Sequence, residues 1–221
     1  MTVRALIAWS SGKDSAFALH EVRRAGDVEI VGALTTVTDS FARVSMHGVR
    51  ETLLAAQLEA AALPATTVRI PFPCPNEVYE REMAAAMAQA KARGVTHVIF
   101  GDLFLPDVRA YREARLAEVG MQGLFPLWHR PTAALANDMI AAGVEAHLVC
   151  VDLKALPASF AGRRFDRELL GDLPAGADPC GENGEFHSFV AAGPMLSRKI
   201  PVRLGETVQR DGFAYADLLP N

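Results

Sequence analysis

The sequence predicts an α/β protein: a parallel sheet with helices on both faces, followed by a smaller α/β domain. Three observations carry that expectation. Short apolar runs alternate with amphipathic segments through the first half of the chain, and strand-helix repetition makes parallel strands covered on both faces. Half of the 221 residues are apolar, enough for one large domain or two small ones with real cores. The texture then changes after Gly123-Leu124-Phe125-Pro126, which places a boundary near residue 128 and divides the chain into residues 1–128 and 129–221.

The first strand candidate is Val3 to Ala8, followed by a helical pattern that opens near Asp14 and runs to about Ala25. Ile30 to Thr35 reads as the next strand. The helix after it, from about Gly48 to Ala62, has Val49, Leu53, Ala56 and Ala60 at helical spacing. A strand at Thr67 to Ile70 leads to a helix from about Glu77 to Arg93, with Tyr79, Met83, Ala86 and Ala90 on one face, and then to a strand at Val95 to Phe100. Beyond the boundary come a helix at Thr132 to Ala142, a strand at Ala146 to Val151 and a loop rich in Gly, Pro and Asp from Gly171 to Gly184. Glu185 to Ala191 and Val202 to Tyr215 read as strands, with Asp211-Gly212 as a hairpin turn. In a parallel sheet, ligands sit beyond the carboxyl ends of the strands. The segments Ser10 to Ser15, Thr36 to Gly48, Pro71 to Asn76 and Gly101 to Asp107 should therefore share one rim.

Residues 9–15, Trp-Ser-Ser-Gly-Lys-Asp-Ser, join the first strand to the first helix. A strand that turns through small residues into a helix N-terminus offers free amides and the positive end of a dipole, which suits a phosphate. The Walker A pattern fails, because Ile7 and Asp14 stand where it needs Gly and Ser or Thr. The run instead resembles the PP-loop, SGGxDS, of the N-type ATP pyrophosphatases, which cut ATP between its α and β phosphates. Ser11 stands in place of the usual Gly, gaining a hydroxyl but losing freedom at positive φ. An ordinary turn capped by Ser10 or Ser11 is the plainer reading.

The second unusual segment is Asp178-Pro179-Cys180-Gly181-Glu182-Asn183-Gly184-Glu185-Phe186-His187-Ser188-Phe189. If Glu185 starts a strand, Glu185 and His187 share one face, while Phe186 and Ser188 share the other. SSGKDS near the start combined with GENGEFHSF near the end resembles the ATP-binding family that contains diphthine–ammonia ligase. Met46-His47-Gly48-Val49-Arg50, Gly101-Asp102-Leu103 and the Gly123 to Trp128 segment extend the likeness from about Arg4 to Leu218. The resemblance implies a HUP-type, Rossmann-like nucleotide domain followed by a family-specific substrate domain. The implied reaction is ATP-dependent amidation of a carboxylate with ammonia, releasing AMP and pyrophosphate. The archaeal and eukaryotic form of the late motif is usually EGGE(Y/F)ET; Asn183 and His187-Ser188 depart from it and look like the bacterial branch. A bacterial member is expected to act on an acceptor other than diphthine.

On this reading ATP is held by Ser10, Ser11, Gly12, Lys13, Asp14 and Ser15, with Thr35, Gly101 and Asp102 on the same rim. Lys13 and the loop amides would neutralise the pyrophosphate. Mg²⁺ is expected, with Asp102 and Glu185 as candidate ligands, because it prefers phosphate oxygens plus one or two carboxylates. Lys13, Glu182, Glu185 and His187 are the catalytic candidates, the last three for handling substrate and ammonia. His47, Arg50, Asn183 and Gly184 are candidates for substrate binding. Cys180 is a nucleophile only if its surroundings lower its pKa.

The net charge of −4 and the lack of a Lys/Arg block count against a nucleic-acid partner. The three widely spaced cysteines form neither a CxxC pair nor a disulfide framework. No apolar run reaches membrane-spanning length and no signal pattern opens the chain, so the expected location is the cytoplasm. A homo-oligomer is compatible with the sequence. Two rival functions stand beside amidation: a PP-loop enzyme acting on tRNA, and a sensor that binds an adenine nucleotide without turning it over.

Overall fold

The computed structural model describes residues 2–39, 43–45 and 47–221. The first half is a mostly parallel sheet with intervening helices: β1 (Val3–Ala8), α1 (Lys13–Ala25), β2 (Val28–Thr38), β3 (Arg43–Val44), α2 (Glu51–Ala60), β4 (Ala65–Ile70), α3 (Asn76–Ala92), β5 (His97–Ile99), α4 (Pro106–Glu118) and β6 (Gln122–Leu124). The remainder holds α5 (Thr132–Ala141), β7 (Glu145–Asp152), α6 (Arg167–Asp172), β8 (Phe186–Ala192), β9 (Val202–Arg210) and β10 (Phe213–Pro220).

The parallel strands lie in the order β4-β2-β1-β5-β6. Chain order runs one way from β1 through β2 to β4 and then reverses to β5 on the other side of β1. The gap above β1 and β5 is therefore the topological switch point, where an α/β sheet opens a crevice for ligand. β2 outruns β1 by several residues, and its end at Val37 and Thr38 pairs antiparallel with β3.

Both faces of this sheet are covered, and β1 shows why its sequence is a nearly unbroken apolar run. Ala5 and Ile7 pack into one apolar cluster while Leu6 packs into the other, on the opposite face. The first cluster continues without interruption from β1, α1 and α2 into α5 and the second sheet, taking in Leu148, Phe186, Phe189 and Val190. That second sheet is antiparallel, in the order β8-β7-β10-β9, and β9 and β10 form the hairpin around Asp211-Gly212.

Several boundaries differ from the sequence expectation. α2 begins at Glu51, three residues late, because Gly48 takes a left-handed backbone (φ +68°) and Arg50 is extended. β8 begins at Phe186 instead of Glu185. α4, α6 and β6 stand in none of the expected elements. Of the α4 residues only Leu116 is buried, so that helix carries almost no apolar periodicity to read. The expected rim loop after Thr35 falls partly outside the described residues, at 40–42 and Met46.

Candidate functional site

The phosphate-loop candidate begins where Trp9 N–H donates to Leu34 O at 2.7 Å, tying the end of β1 to β2. Ser11 then adopts φ +69°, the left-handed backbone that a glycine would enter without penalty. Gly12 is the N-cap residue of α1 and is extended; it has no side chain to cap with, so the plain turn capped by Ser10 or Ser11 is not what forms. The Ser10 hydroxyl instead meets the Ser15 hydroxyl at 3.2 Å. The Lys13 amide donates to Ser188 Oγ at 3.1 Å, so the cap comes from β8, 175 residues later in the chain. The Ser11 and Thr35 hydroxyls are buried with no hydrogen-bond partner. Buried polar groups are nearly always satisfied, and two orphans, one in the turn after β1 and one on the neighbouring β2, suit a ligand.

Two residues hold this loop in place. Gln57 lies fully buried on α2; its side chain accepts from Trp9 Nε1 at 3.1 Å and donates to Ser11 O at 3.1 Å and Val190 O at 2.6 Å. It is not among the residues expected at the site, although a glutamine among Leu53, Leu54 and Leu58 on an apolar helix face is a readable signal. Gly101, after β5, faces the first turn of α1: a Cβ there would come within 2.7 to 2.9 Å of the Asp14 and Ser15 backbone. The close approach that Gly101 permits is therefore to the loop's own helix. Gly101→Ala is expected to displace that turn and to weaken ATP binding measured by titration calorimetry, while circular dichroism keeps its helical signal.

Lys13 does not reach outward from the loop. Its side chain is 2% exposed, and its ammonium donates to both Asp14 oxygens (3.0 and 2.8 Å) and to the Cys180 carbonyl. The rings of Phe186 and Phe165 lie 5.2 and 5.5 Å from it. Burial opposes the charge, but the carboxylates of Asp14 and Glu182 outweigh it and hold the ammonium pKa above its ordinary value.

The late loop is wound around two carboxylates. Asp178 Oδ1 accepts from the amides of Cys180 (2.9 Å) and Glu182 (3.2 Å). Glu185, 5% exposed, accepts from the Asp178 amide (2.9 Å), the Asn183 amide (3.0 Å) and Asn183 Nδ2 (3.1 Å). Glu185 and His187 were expected to present one polar face. Phe186 and Ser188, on the other face, are the side chains that meet Lys13, while Glu185 turns back to close its own loop, in which Gly184 sits at φ +91°. Glu182 leaves the loop and crosses to the first sheet, where it accepts from Leu103 N at 2.7 Å and Phe104 N at 3.4 Å. Burial pushes its pKa up to about 7, with Asp14 and Asp102 adding to the rise against the pull of the two amides. A carboxyl group poised near neutrality beside a phosphate-loop candidate can give or take a proton.

His47 joins the site from the segment before α2. Its Nδ1 lies 3.2 Å from the Ser188 carbonyl; that oxygen only accepts, so Nδ1 carries the proton and Nε2 keeps the lone pair. A Cβ on Gly12 would sit 2.9 Å from His47 Cε1, so the ring lies directly against the loop. His187 lies tilted against it, with centroids 4.6 Å apart and the ring planes 32° from parallel. Burial first, then neighbouring charge, lowers His47 to about 3 and His187 to about 4, so both rings are neutral at physiological pH.

Other expected site residues are engaged elsewhere. Arg50 is turned away from the rim onto Asp217 of β10, which also takes Arg43 at 3.0 Å. Asp102 pairs with Arg112 of α4 (Nε to Oδ2, 2.7 Å), whose guanidinium lies over Phe100 at 4.5 Å. Of the two expected Mg²⁺ ligands, Glu185 spends both oxygens on its own loop, whereas Asp102 keeps Oδ2 buried with no hydrogen bond, in ion-pair contact with Arg112. Among the described residues no group of three or more His, Cys, Asp or Glu side chains could hold a metal ion. Cys180 is 1% exposed, its thiol points at Thr132 O (3.4 Å), and burial pushes its pKa up to about 12. That is the reverse of what an activated nucleophile needs. No helix among the described residues is long and apolar enough to cross a membrane.

Residues 3–123 match the family model for the diphthamide synthase N-terminal domain, and residues 131–217 match that for the diphthamide synthase C-terminal domain. Among curated proteins, a diphthine–ammonia ligase of Danio rerio is 35% identical over 105 residues, 45% of this chain and 41% of that protein. The Homo sapiens diphthine–ammonia ligase is 30% identical over 115 residues, covering 48% and 43%. That of Schizosaccharomyces pombe is 28% identical over 107 residues, covering 45% and 18%. The aligned part thus spans less than half the length of these relatives.

Proposed function

The chain belongs to the diphthamide synthase family, and on that premise we propose that it is an ATP-dependent ligase that adenylates a carboxylate and amidates it with ammonia. A carboxylate oxygen attacks the α-phosphorus, the bond to the bridging oxygen breaks, and pyrophosphate leaves. Ammonia then attacks the acyl carbon, AMP leaves, and the nitrogen sheds a proton. In this reading the first-turn amides of α1 and the hydroxyls of Ser10, Ser11 and Ser15 hold phosphate. Thr35 offers its buried hydroxyl to the nucleoside, and Glu182 takes the proton from the nitrogen. The neutral rings of His47 and His187 line the acceptor side without adding a cation next to Lys13. Residues 1–128 would serve as the nucleotide domain and residues 129–221 as the substrate domain. Any Mg²⁺ would be held by the phosphates and water.

The observation that carries this reading is the pair of orphaned, buried hydroxyls of Ser11, in the turn after β1, and Thr35, on the neighbouring β2, together with a late loop that delivers one carboxyl group poised near neutrality to the Leu103 and Phe104 amides. The test is incubation with α-labelled ATP, ammonium and a panel of carboxylate-bearing acceptors. AMP and pyrophosphate in step with acceptor consumption are expected. ADP as the product, or nucleotide bound but never consumed, would overturn the ligase reading; the second result favours a sensor.

A further inference from the structure

Lys13 sits in the loop assigned to phosphate, yet its ammonium is spent on Asp14 of the same turn and on the Cys180 carbonyl of the late loop. It is the first residue of α1, and its Nζ ends on the Cys180 carbonyl inside the late loop, under the rings of Phe165 and Phe186. From that carbonyl the chain of contacts runs on without a gap. The Cys180 and Glu182 amides share the Asp178 carboxylate, and the Glu182 carboxylate reaches the Leu103 and Phe104 amides across the crevice. Asp14, the other partner of the ammonium, belongs to the turn on which Gly101 packs. One buried cation thus joins the first turn of α1 to the turn that delivers Glu182.

We propose that Lys13 is a positioning residue: its ammonium, locked between Asp14 and the Cys180 carbonyl beneath two phenylalanine rings, holds the 178–184 turn so that Glu182 meets the reacting nitrogen. The cage explains why a lysine serves here. A buried ammonium needs hydrogen-bond acceptors and gains from facing aromatic rings, and the site supplies both; a guanidinium is planar and broader and would force the rings apart. The phosphates are then left to the loop amides and hydroxyls. The inference rests on the ligase reading, but its test separates the two.

The experiment compares Lys13→Met, Lys13→Arg, Glu182→Gln and the Lys13→Met/Glu182→Gln double variant in the full chain. Three quantities are read: ATP affinity by calorimetry, AMP release at saturating ATP, and amide hydrogen exchange across residues 178–184. Positioning predicts that Lys13→Met keeps ATP affinity within about threefold while the turnover rate falls at least about fiftyfold. The double variant should be no slower than Glu182→Gln alone, because the two residues act as one unit. The 178–184 amides should exchange faster, and Lys13→Arg should fail to rescue turnover. A phosphate ligand predicts the opposite: ATP affinity falls at least about tenfold in Lys13→Met, Lys13→Arg restores it, and the losses multiply with Glu182→Gln. That result would overturn the proposal. If Lys13→Met does not fold, Lys13→Arg decides alone, since rescued turnover with unchanged exchange refutes positioning. A wild-type protein that releases no AMP sinks the ligase reading, while the affinity and exchange measurements still judge the role of Lys13.

Discussion

Glu182→Gln is expected to slow AMP formation in the presence of acceptor and ammonium by about 100- to 10,000-fold, the range that a positioned acid or base supplies, while ATP affinity stays close to wild type. Glutamine keeps the shape of the side chain and can still accept from the Leu103 and Phe104 amides through its carbonyl, so what is lost is the ability to take a proton. The pH profile gives the sharper readout. With its pKa raised to about 7, Glu182 is ionised and able to act as a base above that pH and protonated below it, so wild-type turnover should rise through neutrality. The residual activity of the glutamine variant should lack that step. Stability should move the other way. A carboxyl group whose folded pKa lies above its ordinary value of 4.5 binds its proton more tightly in the folded protein, so its contribution to stability falls as pH rises from about 4.5 to about 7. Above pH 7 the glutamine variant should therefore melt at a higher temperature than the wild type. A variant with unchanged turnover, or one that loses turnover without losing the step in pH, would remove Glu182 from the chemistry.

Gln57→Leu is expected to produce the largest loss of stability among single changes away from the apolar core. Leucine fills the space but leaves Trp9 Nε1 without an acceptor and Val190 O without its 2.6 Å donor, both buried. Each stranded group costs about 1 to 3 kcal/mol, so the sum is roughly 2 to 6 kcal/mol, read as a drop of about 1 M or more in the urea midpoint. Ser11 O keeps its bond from Val190 N at 3.0 Å, so the loop should survive as a loop with its clamp loosened. ATP binding should weaken alongside stability, because the same glutamine holds the left-handed Ser11 in place. An unchanged urea midpoint would mean that water replaces the amide and that the clamp carries little energy.

Local sequence was a good guide where a residue's role depends on its immediate neighbours. The alternation of apolar runs gave the parallel sheet, Asp211-Gly212 gave the β9–β10 turn, and the small-residue run after Ala8 marked the loop. It was a poor guide where a side chain is claimed by a distant partner. Arg50 stood at the head of a helix near the rim, but Asp217 on β10 draws it away. Asp102 carries the right charge for a metal, and Arg112, on a helix too polar to recognise, donates to its Oδ1 and forms an ion pair with it. Ser188 lay inside the late motif, but nothing in the order of residues says that its hydroxyl caps a helix that begins 175 positions earlier.

By itself the sequence determined the α/β class, the strand-loop-helix in which a phosphate can rest and the resemblance to a family of ligases, because strand and helix periodicity and a short motif are carried by residues near one another in the chain. The tertiary structure alone decided which way Lys13 points, that Glu185 closes a loop while Glu182 is poised near neutrality, and that two uncharged histidines pack together beside the loop. Those outcomes depend on burial and on contacts between the two sheets. Desolvation and partner charge set the protonation of a side chain, and both are properties of the packed interior, not of the order of residues.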